Sequence, residues 1–179
     1  SWVNMMRAGS TISLEAWDIR LKPNLDWNHA WGAAPANILP RFVLGVRPLT
    51  PGFGTILIRP QPGALTAAQG IVPTIRGPVM VSVRQKVGES YKLTVEIPAN
   101  TQARLELPLW VGEGAAATLD GRRAPGAAEA GRRVFEALGS GTHTVTWRAG
   151  AKEGACRSNG GNFARGIFGA GWRDWVPFF

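Results

Sequence analysis

The sequence predicts a mainly β protein, an antiparallel β-sandwich preceded by a short helical segment, and three observations carry that prediction. The chain of 179 residues holds 23 Gly and 13 Pro, and such frequent turn formers suit short strands better than long helices. At least six short segments alternate apolar and polar residues with period two, as half-buried strands do. Residues 1–44 differ in character, with helical spacing at their start and Trp2, Trp17, Trp27 and Trp31 crowded into the first 31 positions.

Trp2, Val3, Met5 and Met6 are apolar at spacings that fit the last turns of a helix, with Gly9 and Ser10 as its stop. Thr11 to Asp18 fits either a strand or the start of another helix. Ala33 to Leu44 reads as a helix in which Pro35 suits the first turn, Pro40 introduces a kink and Gly45 ends the run. Val46 to Gly54 is dense in turn formers and reads as a connector. Strands are then expected over Thr55–Arg59, Val79–Arg84, Tyr91–Ile97, Ala103–Leu107, Arg133–Glu136 and Thr142–Trp147, with a turn at 87–90. Asp120-Gly121 marks a hairpin, because both central residues of such a turn need positive φ. From Ala149 onward the period is lost. This Gly-rich stretch, carrying Phe163, Phe168, Trp172, Trp175, Phe178 and Phe179, is expected to be an unstructured tail without a function of its own.

The net charge of +8 raises the question of nucleic acid. Arg residues are scattered singly from Arg7 to Arg173, with no basic run or helical stripe, so neither a nucleic-acid partner nor a membrane partner is expected. A lone Cys156 excludes an internal disulfide framework and, with only His29 and His143 besides, gives no ground for a structural metal or a cofactor. No apolar stretch is long enough to span a bilayer as a helix. The start, Ser1-Trp2-Val3-Asn4-Met5-Met6, is neither a signal peptide nor an ordinary initiation, and the chain is expected to begin within a longer protein. The compartment is left open.

Chemistry is concentrated in Glu15, Trp17 and Asp18, followed by Trp27, Asn28, His29 and Trp31. Indole faces stack on the apolar face of a pyranose and carboxylates accept hydrogen bonds from its hydroxyls. An ionised Glu can also activate water as a general base. The structural alternative stands beside this: Trp17 and Trp31 pack a core, while Glu15 and Asp18 cap a helix or pair with Arg20 and Lys22. His143 falls in a strand pattern and is expected to face outward. Tyr91, Trp110 and Trp147 are the few aromatic residues the sandwich could expose, too few for a stacking platform, so bracing of a neighbouring domain is expected over glycan binding.

The run from Trp27 through Asn28-His29 to Arg41, continued by Leu44 to Gly52, resembles the end of the bacterial α-L-rhamnosidases of glycoside hydrolase family 78. Ile56 to Gln61, Val72 to Pro78 and Glu96 to Thr101 are similar to the sandwich domain that follows in that family. The resemblance covers about Ser1 to Trp147, with its motifs in the family's order. It implies that residues 1–48 are the remnant of an (α/α)6 catalytic barrel and that 49–148 form the C-terminal β-sandwich, and it leaves the expected tail, 149–179, uncovered.

It further implies an inverting hydrolase that releases terminal α-L-rhamnose with two carboxylic acids. The family's segment Thr-Thr-x-Trp-Glu-x-Trp-Asp corresponds to Thr11 through Asp18, which implies Glu15 as the general base. Trp17, Asp18, His29 and Trp31 are then implied as substrate-binding residues, with a rhamnose-containing glycan or glycoside as partner. Ile12 and Leu14 depart from the pattern, the second in the pocket wall. The general acid is expected upstream, so the chain alone is expected to be inactive. The alternatives are a non-catalytic module that braces or binds a glycan, or a related (α/α)6-barrel glycosidase of other specificity.

Overall fold

The structure is a computed structural model describing residues 1–18, 20–113 and 115–150. The described residues fall into two compact units, one from Ser1 to Gly32 and one from Ala33 to Gly150. The expected tail lies outside the described residues from 151 onward.

The first unit begins with helix α1, Trp2–Arg7. Gly9, at φ +79°, ends it as the spacing predicts. Its N–H donates to Met6 O at 3.0 Å and the Ser10 N–H to Met5 O at 3.1 Å, the paired bonds of a Schellman cap. Thr11 to Asp18 forms neither strand nor helix. Its backbone is tied to a later loop instead: Glu15 N–H donates to Asp26 O at 3.0 Å and His29 N–H to Ser13 O at 2.9 Å. Met5, Leu14 and Leu25 are buried together, with Trp2 and Ala16 packed against them.

The second unit opens with helix α2, Ala34–Ile38. Pro40 cannot donate a backbone hydrogen bond and crowds the turn before it, so the helix widens over Leu39–Val43. The Leu44 N–H there reaches back five residues to Leu39 O at 2.9 Å. Part of the expected connector is a strand: β1, Val46–Pro48, pairs antiparallel with β2, Thr55–Ile58, around a 3-10 turn at Pro51–Phe53.

The remaining strands are β3 (Ala67–Thr74), β4 (Gly77–Lys86), β5 (Ser90–Ile97), β6 (Gln102–Pro108), β7 (Thr118–Leu119), β8 (Arg122–Arg123), β9 (Ala127–Glu129), β10 (Arg132–Leu138) and β11 (Gly141–Arg148). They build a five-stranded sheet, ordered β1-β2-β6-β10-β9, and a six-stranded sheet, ordered β3-β4-β5-β11-β7-β8. Every pair is antiparallel except β2 with β6, which is parallel because the whole of β3, β4 and β5 intervenes in the other sheet.

Period two places one face of each sheet in a shared core. Ile56, Ile58, Ala103, Leu105, Leu107 and Phe135 come from one sheet, and Val79, Val81, Val83, Leu93, Val95 and Val145 from the other. The chain is thus a mainly β protein with a two-sheet sandwich, as the alternation predicts.

Three residues depart from their expected places. Tyr91 and Trp147 are buried, and with Trp110 they form an edge-on aromatic row, with centroids 5.6 and 5.5 Å apart. The row is core because Tyr91 and Trp147 share the period of Leu93 and Val145. The Tyr91 hydroxyl has no hydrogen-bond partner among the described residues, and burial pushes its pKa up. His143 likewise shares the core-facing row of Val145 and Trp147 and is half-buried, where outward exposure is expected. Its Nδ1 lies 2.8 Å from Asp120 Oδ2 and its Nε2 3.0 Å from Gly139 O.

Candidate functional site

The sequence-predicted site residues all lie in the first unit; Trp31 is in a 3-10 turn, Ala30–Ala33, and the others are on irregular backbone held by α1 and the Glu15–Asp26 and Ser13–His29 bonds. Leu14 anchors the Glu15 segment in the small core, and this fixes where Glu15 leaves the chain. The Glu15 carboxylate accepts from Lys22 Nζ at Oε1 and from the Asp26 N–H at Oε2, the latter at 3.2 Å. The Lys22 hydrogen bond foremost, then the Asp26 N–H, lowers the Glu15 pKa. The group is therefore ionised at neutral pH, with one further acceptor direction left on each oxygen.

Asp26 connects Glu15 with His29. Its Oδ2 lies 4.0 Å from His29 Nδ1, beyond hydrogen-bond range, while its Oδ1 accepts from the Asn28 N–H at 2.9 Å. The His29 ring meets Trp31 edge-on, with centroids 5.5 Å apart, and Trp31 is 89% exposed. An indole so exposed is not packing a core.

Asp18 is held differently. Its carboxylate takes two hydrogen bonds from the Arg20 guanidinium, at 2.7 and 3.0 Å, and one from the Arg20 N–H at 2.9 Å. These bonds hold its pKa down at about 2. Trp17 stands edge-on to Trp2, with centroids 4.7 Å apart, and the Trp2 indole N–H donates to Gly32 O at 2.7 Å. Trp17, Asp18 and Trp27 line a cavity of about 270 Å³ with Asn4, Ala8, Leu14 and Leu25.

The five residues thus form two groups within one unit. Trp17 and Asp18 border the cavity, while Glu15, His29 and Trp31 cluster around Asp26 outside its lining. The pairs Glu15–Lys22 and Asp18–Arg20 that the sequence suggests are both formed. Asp26 is an organising residue that motif reading passes over. Asp26 lies one residue before the Trp27-Asn28-His29 run, and that adjacency is the signal that could have found it. Among the described residues, no group of three or more His, Cys, Asp or Glu is placed to hold a metal. No helix among them is long and apolar enough to cross a membrane.

Residues 45–120 match the family model of the bacterial alpha-L-rhamnosidase C-terminal domain. An alpha-L-rhamnosidase of Streptomyces avermitilis is 29% identical over 117 residues, which cover 60% of this chain and 11% of that protein. The solved structure of the Streptomyces avermitilis alpha-L-rhamnosidase complexed with L-rhamnose is similar at a TM-score of 0.64 and 29% identity, over 83% of this chain and 15% of that one. That of the native enzyme from Aspergillus terreus is similar at 0.62 and 25%, over 83% and 16%. That of the Dictyoglumus thermophilum alpha-L-rhamnosidase shares the fold at 0.68 and 20% identity, over 80% and 17%. The chain therefore spans only a small part of the length of these relatives.

Sheet order and shared core define the class as a two-sheet β-sandwich domain, and the likenesses are to alpha-L-rhamnosidases. More narrowly, residues 45–120 are similar to the C-terminal domain of the bacterial alpha-L-rhamnosidases.

Proposed function

We propose that the chain is the C-terminal fragment of an α-L-rhamnosidase, an inverting glycoside hydrolase that releases terminal α-L-rhamnose from a glycan or glycoside. Glu15 is its general base. The observation that carries this is the 29%-identical likeness over 83% of the chain, a larger share than residues 45–179 could supply. The likeness thus takes in residues on the N-terminal side of Gly45, which supports reading the preceding segment with the same family.

In this mechanism Glu15 takes a proton from water as the water attacks the anomeric carbon, and a carboxylic acid outside this chain protonates the leaving oxygen. Inverting pairs stand roughly 6.5–9.5 Å apart to admit that water. Lys22 keeps Glu15 ionised for the task, and each carboxylate oxygen retains a further acceptor direction for the water proton. Trp17 and Trp31 offer apolar faces to the sugar, and Asp18 and His29 offer polar contacts. Residues 1–48 belong to the end of the (α/α)6 barrel and 49–148 to the sandwich that braces it.

General acid–base assistance contributes typically about 100- to 10,000-fold per group. Glu15→Gln in the longer protein should therefore lower kcat on an aryl α-L-rhamnoside by a factor in that range, with circular dichroism and melting temperature little changed. Activity that survives the substitution moves the base elsewhere. The isolated 179-residue chain, lacking the acid and much of the pocket wall, should show no hydrolysis above background. Turnover by it, free of contaminating enzyme, would overturn the fragment proposal.

A further inference from the structure

We propose that the outer face of the six-stranded sheet binds an acidic polysaccharide through a cluster of four cations. Arg84 of β4 stands directly opposite Lys92 of β5, and Lys86 and Arg148 both stand opposite Ser90. All four side chains are exposed, and all border one shallow depression of about 680 Å³. Among the described residues, Glu89 is the one carboxylate paired with any of them, at 2.7 Å from Lys86.

Like charges directly opposite on neighbouring strands destabilise a sheet. The fold gains nothing locally from Arg84 facing Lys92, whereas an anionic ligand would be attracted by both. Beside the cations the same face carries hydroxyls. Thr146 lies opposite Lys92, and Thr118 lies opposite Thr146 with their hydroxyl oxygens 2.6 Å apart. The next row holds Ser82, Thr94 and Thr144, with the Thr94 and Thr144 oxygens 3.2 Å apart. Cations beside a hydroxyl ladder suit a chain that bears both carboxylates and sugar hydroxyls.

Nucleic acid fits less well. The aromatic residues Tyr91, Trp110 and Trp147 are turned into the core, so the described residues offer no stacking platform for single-stranded bases on this face. A sheet of six strands is also broader than the two-stranded ribbon that a major groove admits. The choice of a glycan over other polyanions rests on the glycosidase proposal, but the binding itself requires no activity, so the two fail separately.

The test is affinity electrophoresis and titration calorimetry of the full chain with polygalacturonate, dextran, polyphosphate and a mixed-sequence RNA, repeated with Arg84→Thr/Lys92→Thr. Threonine suits strands and the change relieves the like-charge pair, so the variant should fold at least as stably. The expected result is salt-sensitive binding to polygalacturonate, none to dextran, and a loss of roughly tenfold or more in the variant. Equal retention by dextran, no binding to polygalacturonate, or undiminished binding by the variant overturns the proposal. Tighter binding to RNA or polyphosphate than to polygalacturonate overturns the glycan assignment. Rhamnosidase assay of the longer protein carrying both substitutions completes the test: unchanged hydrolysis with weakened polymer binding is expected, and a lost activity that parallels lost binding overturns a site separate from catalysis.

Discussion

Gly45 carries a backbone requirement that no other side chain meets. Its φ is +78°, and a Cβ there would overlap the backbone carbonyl of Arg59. The Arg59 N–H donates to Gly45 O at 2.9 Å, so the close approach is itself a hydrogen-bonded contact between the helix end and the start of the sandwich. Gly45→Ala should cost more than about 2 kcal/mol, combining the left-handed backbone penalty with displacement of β2. Urea unfolding checks it, and a loss under about 0.5 kcal/mol would show that the strand yields. The sequence marks Gly45 as a helix stop, whereas the contact with Arg59 belongs to tertiary packing and leaves no local trace. The candidate site is legible in the same partial way. The carboxylates and Trp residues stand out in sequence, and so do the cations Arg20 and Lys22 beside them. The link from Asp26 to Glu15 spans eleven residues and exists only because two irregular loops are held side by side.

Among the elements, strands with a clean period of two were readable within a residue or two of their ends, because one face of each lies in the core. The strands that escaped have identifiable reasons. In β3, Gly70 and Pro73 interrupt the alternation; Gly70 is where the Leu44 side chain lies against the backbone, and Pro73 is tolerated because β3 is an edge strand. The hairpin between β9 and β10 escaped because its two-residue turn is Ala130-Gly131, with φ of +45° and +73°. Asp120-Gly121, with φ of +51° and +78°, does the same work with a residue that tolerates this conformation. Ala130→Asn should therefore stabilise the protein by about 0.5–1 kcal/mol, since Asn enters the left-handed region more readily than Ala. Thermal or urea denaturation measures this, and an unchanged or lower midpoint would mean that the turn is not under strain. The basic face escaped for a related reason. Arg84, Lys86, Lys92 and Arg148 look scattered along the chain, and only strand register gathers them.

At the scale of the whole molecule, the two units have separate cores of very different size. The sandwich core draws buried side chains from both sheets, including Ile56, Leu93, Leu105 and Val145, which are fully enclosed. The first unit buries Met5, Leu14 and Leu25, while Met6 and Trp31 are 74% and 89% exposed. Local stability follows the density of buried apolar contacts, so the two units should open separately. Native-state hydrogen exchange of the chain should show the amides of β4, β5, β6 and β11 exchanging only through global unfolding. The hydrogen-bonded amides of Glu15 and His29 should exchange at least roughly a hundredfold faster, a gap of about 2.7 kcal/mol. Exposed apolar side chains on the first unit also make it the expected site of self-association. Equal protection in both units would contradict this and would mean that the first unit is stable by itself. The same experiment on the longer protein supplies the converse. If residues 1–48 belong to a barrel, protection at Glu15 and His29 should rise towards that of the sandwich, whose own amides should change little, because its core is already complete.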